Sequence, residues 1–197
     1  FVPGADEIEG NLCRLTEAAD RLSIPLIATA DDHEHGDPEI SDDPDFEVTF
    51  PPHCMRGTPG ARRVGSTRIE TTLELGREPL DPGEIRTAFR AAWPRVLVLK
   101  NELDAFSNPN VDTLLAELGP SRHVVYGVAL DFCVRRVVEE LLARRVGEIV
   151  VLTDATRAID AERGDALLEA WEAAGVELET TERFLGRLPQ PAHRAHG

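Results

Sequence analysis

A chain of 197 residues, 42% of them hydrophobic, is long enough to bury one full core, so residues 1–197 are expected to form a single domain. With 36 acidic against 21 basic side chains the net charge is −15, which repels phosphate backbones and anionic membrane surfaces and argues against a nucleic-acid or membrane partner. No run approaches about eighteen consecutive apolar residues, and the first residues lack a basic segment followed by an apolar one, so the chain reads as cytoplasmic. Cys13, Cys54 and Cys133 are odd in number and widely spaced, which fits reduced thiols better than a disulfide framework.

In chain order, Ile8, Leu12, Leu15, Ala19 and Leu22 recur at helical spacing. "IPLIATA" (24–30) follows as a short apolar run, the first of four; the others are "RVLVLK" (95–100), "HVVYGV" (123–128) and "EIVVLT" (148–153). All four are apolar on both faces, the mark of strands buried on both sides. Between them, "DPGE" (81–84) opens a helix with an Asp cap and Pro in its first turn, and "NPNVDTLLAELG" repeats the logic with Asn108 as cap, Pro109 inside and Gly119 past the end. Strands alternating with helices predict a mostly parallel sheet covered by helices on both faces. Residues 31–75 form one long irregular segment, and the tail 186–197 loses all periodicity and is expected to fray.

In open parallel sheets, ligands bind beyond the carboxyl ends of the strands. That rule selects Asp31 and His33 after the first strand, Lys100 closing the second, Cys133 after the third and Asp154 after the fourth. A cysteine at a helix start beside a lysine ammonium has its thiolate favoured and can attack a carbonyl. A buried apolar cysteine, a solvated strand-end lysine and a turn-forming aspartate are the other readings of the same three residues. The irregular segment adds "DDH" (31–33) and "FPPHCMRGTPGA" (50–61). Asp31, His33 and His53 would supply one carboxylate and two imidazoles, a set suited to zinc, manganese or iron with positions left open. An acidic surface loop accounts equally for its Asp37, Glu39, Asp42, Asp43, Asp45 and Glu47.

Together these residues resemble the isochorismatase-like cysteine hydrolases, and within them the nicotinamidase-related amidohydrolases. "FVPGADEI", "ATADDH" with "FPPHCMRGTPGA", "LKNELDAF", and "GVALDFCV" with "VLTDATRAID" are similar to that family's motifs in family order, over most of the chain. The resemblance implies a three-layer α/β/α, Rossmann-like fold with a mostly parallel sheet. It implies Cys133 as nucleophile, Lys100 as its cationic neighbour, and an oxyanion hole from the amides of Ala129 and Cys133 beside a cis Val128–Ala129 peptide. It also implies a divalent metal, zinc first, on Asp31, His33 and His53, with Glu39, His35 or Glu47 able to add a fourth ligand. Phe50, where nicotinamidases often carry Trp, Phe106 and Val128 would line a flat pocket. Core packing is the alternative for both phenylalanines.

The family's third catalytic residue is an aspartate on a central strand that would precede Phe1, so the domain reads as N-terminally incomplete and its sheet as short of one strand. Asp131 is expected to cap the helix that follows it. The function expected is hydrolysis of a small amide, through a thioester on Cys133, to acid and ammonia. A relative acting on another small amide, or a non-catalytic small-molecule binder lacking the acid, is the alternative. Family members also imply a homo-oligomer, dimer or tetramer.

Overall fold

Ile8, Leu12, Leu15 and Ala18 share one face of helix α1 (Glu9–Leu22) and its entry, and all four are buried. The structure is a computed structural model describing residues 2–67, 70, 73–91 and 95–189. After α1 come β1 (Leu26–Asp31), β2 (Leu73–Leu75), α2 (Pro82–Ala91), β3 (Arg95–Lys100), α3 (Val111–Leu118) and β4 (Arg122–Val128). The chain continues through α4 (Arg135–Arg144), β5 (Glu148–Arg157), α5 (Ala161–Ala173), β6 (Glu177–Glu179) and α6 (Thr181–Arg187).

Every strand pairing is parallel, in two half-sheets ordered β1-β3-β2 and β4-β5-β6. Strand β5 shows why helices cover both faces. Ile149 and Val151 pack with Val134, Val138 and Leu141 of the α4 region and Trp171 of α5, while Val150 and Leu152 pack with Ile8, Leu12 and Leu15 and with Phe184 and Leu185 of α6. The other half-sheet buries Val96 and Val98 of β3 and Leu75 of β2 against Ile85 of α2 and Val111 and Leu114 of α3. The result is the expected three-layer α/β/α arrangement. Among the described residues, no helix is long and apolar enough to cross a membrane.

Helix ends follow their residue types. Asp81 accepts from the Gly83 amide at 2.7 Å at the start of α2, and Gly119 closes α3 in the left-handed conformation. Asn108, expected to cap α3, does something else, and Asn110 takes the cap position. The Asn108 side chain accepts from the Asn110 amide and donates to the carbonyls of Leu75, Gly76 and Leu99, so it staples β2 and β3 to the helix. Strand β2 lies within the segment expected to be irregular, β1 extends to Asp31, and β5 runs on through Asp154 to Arg157. Gly186 and Arg187 are helical in α6 rather than frayed, while residues 190–197 lie outside the described residues.

Among the described residues, the outer strands β1 and β2 of one half-sheet and β4 and β6 of the other each pair on one side only. On these strands Ile27 is 37% exposed and Val128 43%, unlike the fully buried β5 core.

Gly147 links α4 to β5 with φ +84°, and a Cβ there would sit 2.6 Å from the Ser121 carbonyl, which already accepts from the Glu148 amide. Gly147→Ala is therefore expected to destabilise by at least about 2 kcal/mol. Gly10, in α1 with open space around its Cβ position, should gain about 0.5–1 kcal/mol as Ala. Thermal unfolding of both variants checks the contrast.

Candidate active site

Asp31 and Lys100 are Cα partners at the ends of β1 and β3, so the register of that half-sheet sets them side by side. Lys100 shares the face of Val96 and Val98 and is only 3% exposed. Its ammonium donates to the Asp31 carboxylate, to the Glu102 carbonyl at 2.9 Å and to Cys133 Sγ at 3.4 Å. Cys133 lies not in a regular helix start but in a π-helical turn, Leu130–Val134, that leads from β4 into α4. Such turns recur at functional sites because they redirect one side chain. Leu130 and Val134 anchor the turn in the core, and the Ala129 carbonyl accepts from the amides of Phe132 and Val134, both at 3.1 Å. The Val128–Ala129 peptide is cis.

Asp131 is buried, but it does not cap the helix that follows. Its two carboxylate oxygens accept from the amides of Ile159 and Asp160, at 2.9 and 3.0 Å, and so bind the π-helical turn to the start of α5. Asp154 is also elsewhere. It caps α6 by accepting from the amide and hydroxyl of Thr181, both at 2.7 Å, so it does not converge with the other strand-end residues.

Asp31, His33 and His53 do converge, with ligand-type atoms all within 4.8 Å of one another. His33 is fully buried and is carried by a bridge to Met55, and its ring lies 4.5 Å from that of His53. His53 Nδ1 is 2.9 Å from the Pro51 carbonyl, which leaves Nε2 free to face the cluster. Of the three further candidates, Glu39 is the one brought here, 4% exposed, with Oε1 3.7 Å from His53 Nε2 and 3.9 Å from His33 Nε2. Glu47 pairs instead with Arg163 at 3.0 Å, and His35 is exposed. Both His33 nitrogens and Glu39 Oε2 are buried without a hydrogen-bond partner. Buried polar atoms are ordinarily satisfied, so this donor set fits a divalent cation bound among them.

Charges follow from this packing. Burial pushes Glu39 up to about 7, against the pull of Lys100. For Lys100, burial works to lower the value, yet Cys133 and Asp31 hold it above the ordinary lysine range. The expectation of a thiolate favoured by its surroundings needs correction at Cys133: burial raises its pKa, Asp31 and Glu39 add to the rise, and Lys100 opposes it without reversing it.

Phe50 stands edge-on to both His53, with centroids 5.9 Å apart, and Phe132, at 5.4 Å, forming one aromatic wall. Phe132 was not anticipated from sequence, although its position next to Cys133 was the available signal. Phe106 is not part of this wall. Its ring packs into the core beside α3 and α4 with the Arg144 guanidinium 4.0 Å over its centroid.

Because Lys100 lowers the Cys133 pKa, Lys100→Met should move it further up and reduce the thiolate fraction at any fixed pH near 8. Alkylation rates read by peptide mapping across pH 6–10 should show the Cys133 profile displaced to higher pH, with half-buried Cys13, which pairs with Glu17 and not with Lys100, unchanged.

Comparison with known proteins identifies the family. Residues 77–183 match the isochorismatase domain family. Over 165 residues the chain is 31% identical to the nicotinamidase/pyrazinamidase of Mycobacterium tuberculosis, covering 83% of this chain and 80% of that protein. Its fold is similar to that of a Pyrococcus horikoshii pyrazinamidase in complex with zinc (TM-score 0.69, 21% identity, 91% of this chain and 88% of the other). It is also similar to N-carbamoylsarcosine amidase from Thermoplasma acidophilum (TM-score 0.68, 22% identity, 92% and 87%). A domain match over more than half of the chain, and that identity to a relative across most of both proteins, make the chain a member of the isochorismatase-like, nicotinamidase-related family.

Proposed function

We propose that the protein is a metal-assisted cysteine amidohydrolase that converts a small amide of the nicotinamide class to its acid and ammonia. The observation that carries this reading is the buried Lys100 ammonium, shared between Cys133 Sγ at 3.4 Å and the carboxylate of Asp31 in the metal-type cluster. The identity to a nicotinamidase/pyrazinamidase supports the substrate class.

In this mechanism Cys133 Sγ attacks the amide carbonyl carbon, forming a C–S bond while the carbonyl electron pair moves to oxygen. The amides of Ala129 and Cys133 are assigned to that oxygen as hydrogen-bond donors. Collapse breaks the C–N bond, the thiol's proton passes through a carboxylic acid to the leaving nitrogen, and ammonia departs. Water then cleaves the thioester, releasing the acid and restoring the thiol. Lys100 stabilises the thiolate throughout, and Phe50, Phe132 and Val128 border the substrate. Asp31, His33 and His53, with Glu39 as fourth ligand, would hold the cation, zinc first and manganese or iron as alternatives. Bound there it supplies a Lewis acid able to anchor a ring nitrogen or a water.

The proton-carrying acid is assigned to an aspartate on a further extended segment lying between β1 and β4. The unpaired edges of both strands, with exposed Ile27 and Val128 along them, support that placement, because a strand inserted there satisfies backbone groups on both sides. A cytoplasmic homo-oligomer remains part of the proposal, and three free cysteines accord with a reducing compartment.

Cys133→Ala should abolish ammonia release from nicotinamide while leaving the protein folded, with a lowered unfolding midpoint because Lys100 loses one of its three partners. His33→Ala should instead cost about one equivalent of bound zinc, read by elemental analysis. Ammonia release by Cys133→Ala at the parent rate contradicts the mechanism, and unchanged metal content in His33→Ala contradicts the ligand set.

A further inference from the structure

The ion pair between Glu47 and Arg163 has no part in the mechanism above, yet it joins the loop that follows His33 to α5 beside the Phe132 ring. Glu47 sits at the tip of the metal loop and Arg163 in the first turn of α5, with Nη2 to Oε1 at 3.0 Å. Both ends are built to hold their positions. At the tip, Asp45 Oδ1 accepts from the amides of Glu47, Val48 and Thr49, each at 2.9 Å, and the Phe46 amide donates to the Thr49 carbonyl at 3.0 Å. The same unit is tied inward, since the Phe50 amide donates to the Glu39 carbonyl at 2.7 Å and the Ser41 amide to that of Phe50 at 2.9 Å. On the far side, the Arg163 amide donates to Asp160, whose own amide donates to Asp131 in the nucleophile turn. The Arg163 guanidinium lies 5.7 Å over the ring of Phe132, the ring that Phe50 meets edge-on.

We infer that Glu47 and Arg163 form a strap tying the metal loop to α5, and that they act as positioning residues by holding Phe50 against Phe132 as the wall for an aromatic amide. The substrate part of this inference rests on the proposed hydrolase function. The pair touches neither Cys133 nor the metal-type ligands in any recorded hydrogen bond or ion pair, so it governs how well a ring is held and not the chemical step. Being partly exposed, it carries the modest strength of a surface pair, which corresponds to about a two- to fivefold change in KM.

The test uses the full-length enzyme as Glu47→Gln, Arg163→Gln and the charge swap Glu47→Arg with Arg163→Glu. Amide hydrogen exchange over residues 41–50 is read beside kcat and KM for nicotinamide and for propionamide, which has no ring. Either single change should speed exchange in 41–50 and raise KM for nicotinamide about two- to fivefold, with kcat and the propionamide KM unchanged; the swap should restore both readouts. Salt at about 0.5 M should mimic the single changes in the parent and add nothing to them. Unchanged exchange in the single variants, or a swap that restores neither readout, overturns the strap. A parent enzyme that turns over no amide counts against the hydrolase reading alone, because exchange still decides the strap.

Discussion

A lysine ammonium buried to 3% exposure is the constraint on which this site depends. Removing such a charge from water costs several kcal/mol unless partners replace its hydration. Here the replacements are Asp31, the Glu102 carbonyl and Cys133 Sγ, which come from the end of β1, the loop after β3 and the turn after β4. Satisfying one ammonium therefore draws together both half-sheets. Strand β3 buries alternate residues, Val96, Val98 and Lys100, and its register with β1 sets Lys100 beside Asp31; a slip of one position would turn Lys100 away from its partners. The fold's hydrophobic pattern and the site's electrostatics are thus one constraint seen at two ends of a strand.

The loop that carries His33, Glu39 and His53 meets the same problem with opposite charge. Its acidic residues are not a uniformly solvated face. Arg77 and Asn101 grip Asp37, and Arg56 holds Asp32 and Glu34, which leaves Glu39 turned inward to the two histidines. Burial acts to raise Asp37, but the Glu34 amide, Asn101 and Arg77 hold it below the ordinary carboxylate range. Glu39 has no such donors and rises. Adjacent carboxylates in one loop are in this way sorted into a structural anion and an unsatisfied candidate ligand.

The legible part of the molecule was the part with a period or a motif. Four apolar runs gave β1, β3, β4 and β5, although the two-sided burial expected of all four is seen in β5 and not in β1 or β4, and the strand-end rule brought out Asp31, Lys100 and Cys133. The three-residue strands β2 and β6 were too short to show a pattern, and only their ladders to β3 and β5 define them. Glu39 could not be separated from its acidic neighbours, since its burial comes from the bridge between Ile40 and Phe50, residues ten apart. Asp131 and Asn108 were read through local capping rules, while their actual partners lie 28 and as many as 33 residues away, and Asp154, selected by the strand-end rule, instead caps α6 through Thr181, 27 residues on. Phe106 looked like a pocket residue by motif position, and its long-range packing against α4 decided otherwise.

The central claim is that Cys133, with its charge set by the Lys100 network, bonds covalently to the acyl group of the substrate. The most direct measurement is acid quenching of the full-length enzyme during turnover of nicotinamide, followed by peptide mapping by mass spectrometry. The account predicts an acyl adduct on the peptide containing Cys133, lost on treatment with hydroxylamine as a thioester requires. Continued ammonia release with that peptide unmodified, or with the adduct on another residue, would contradict it.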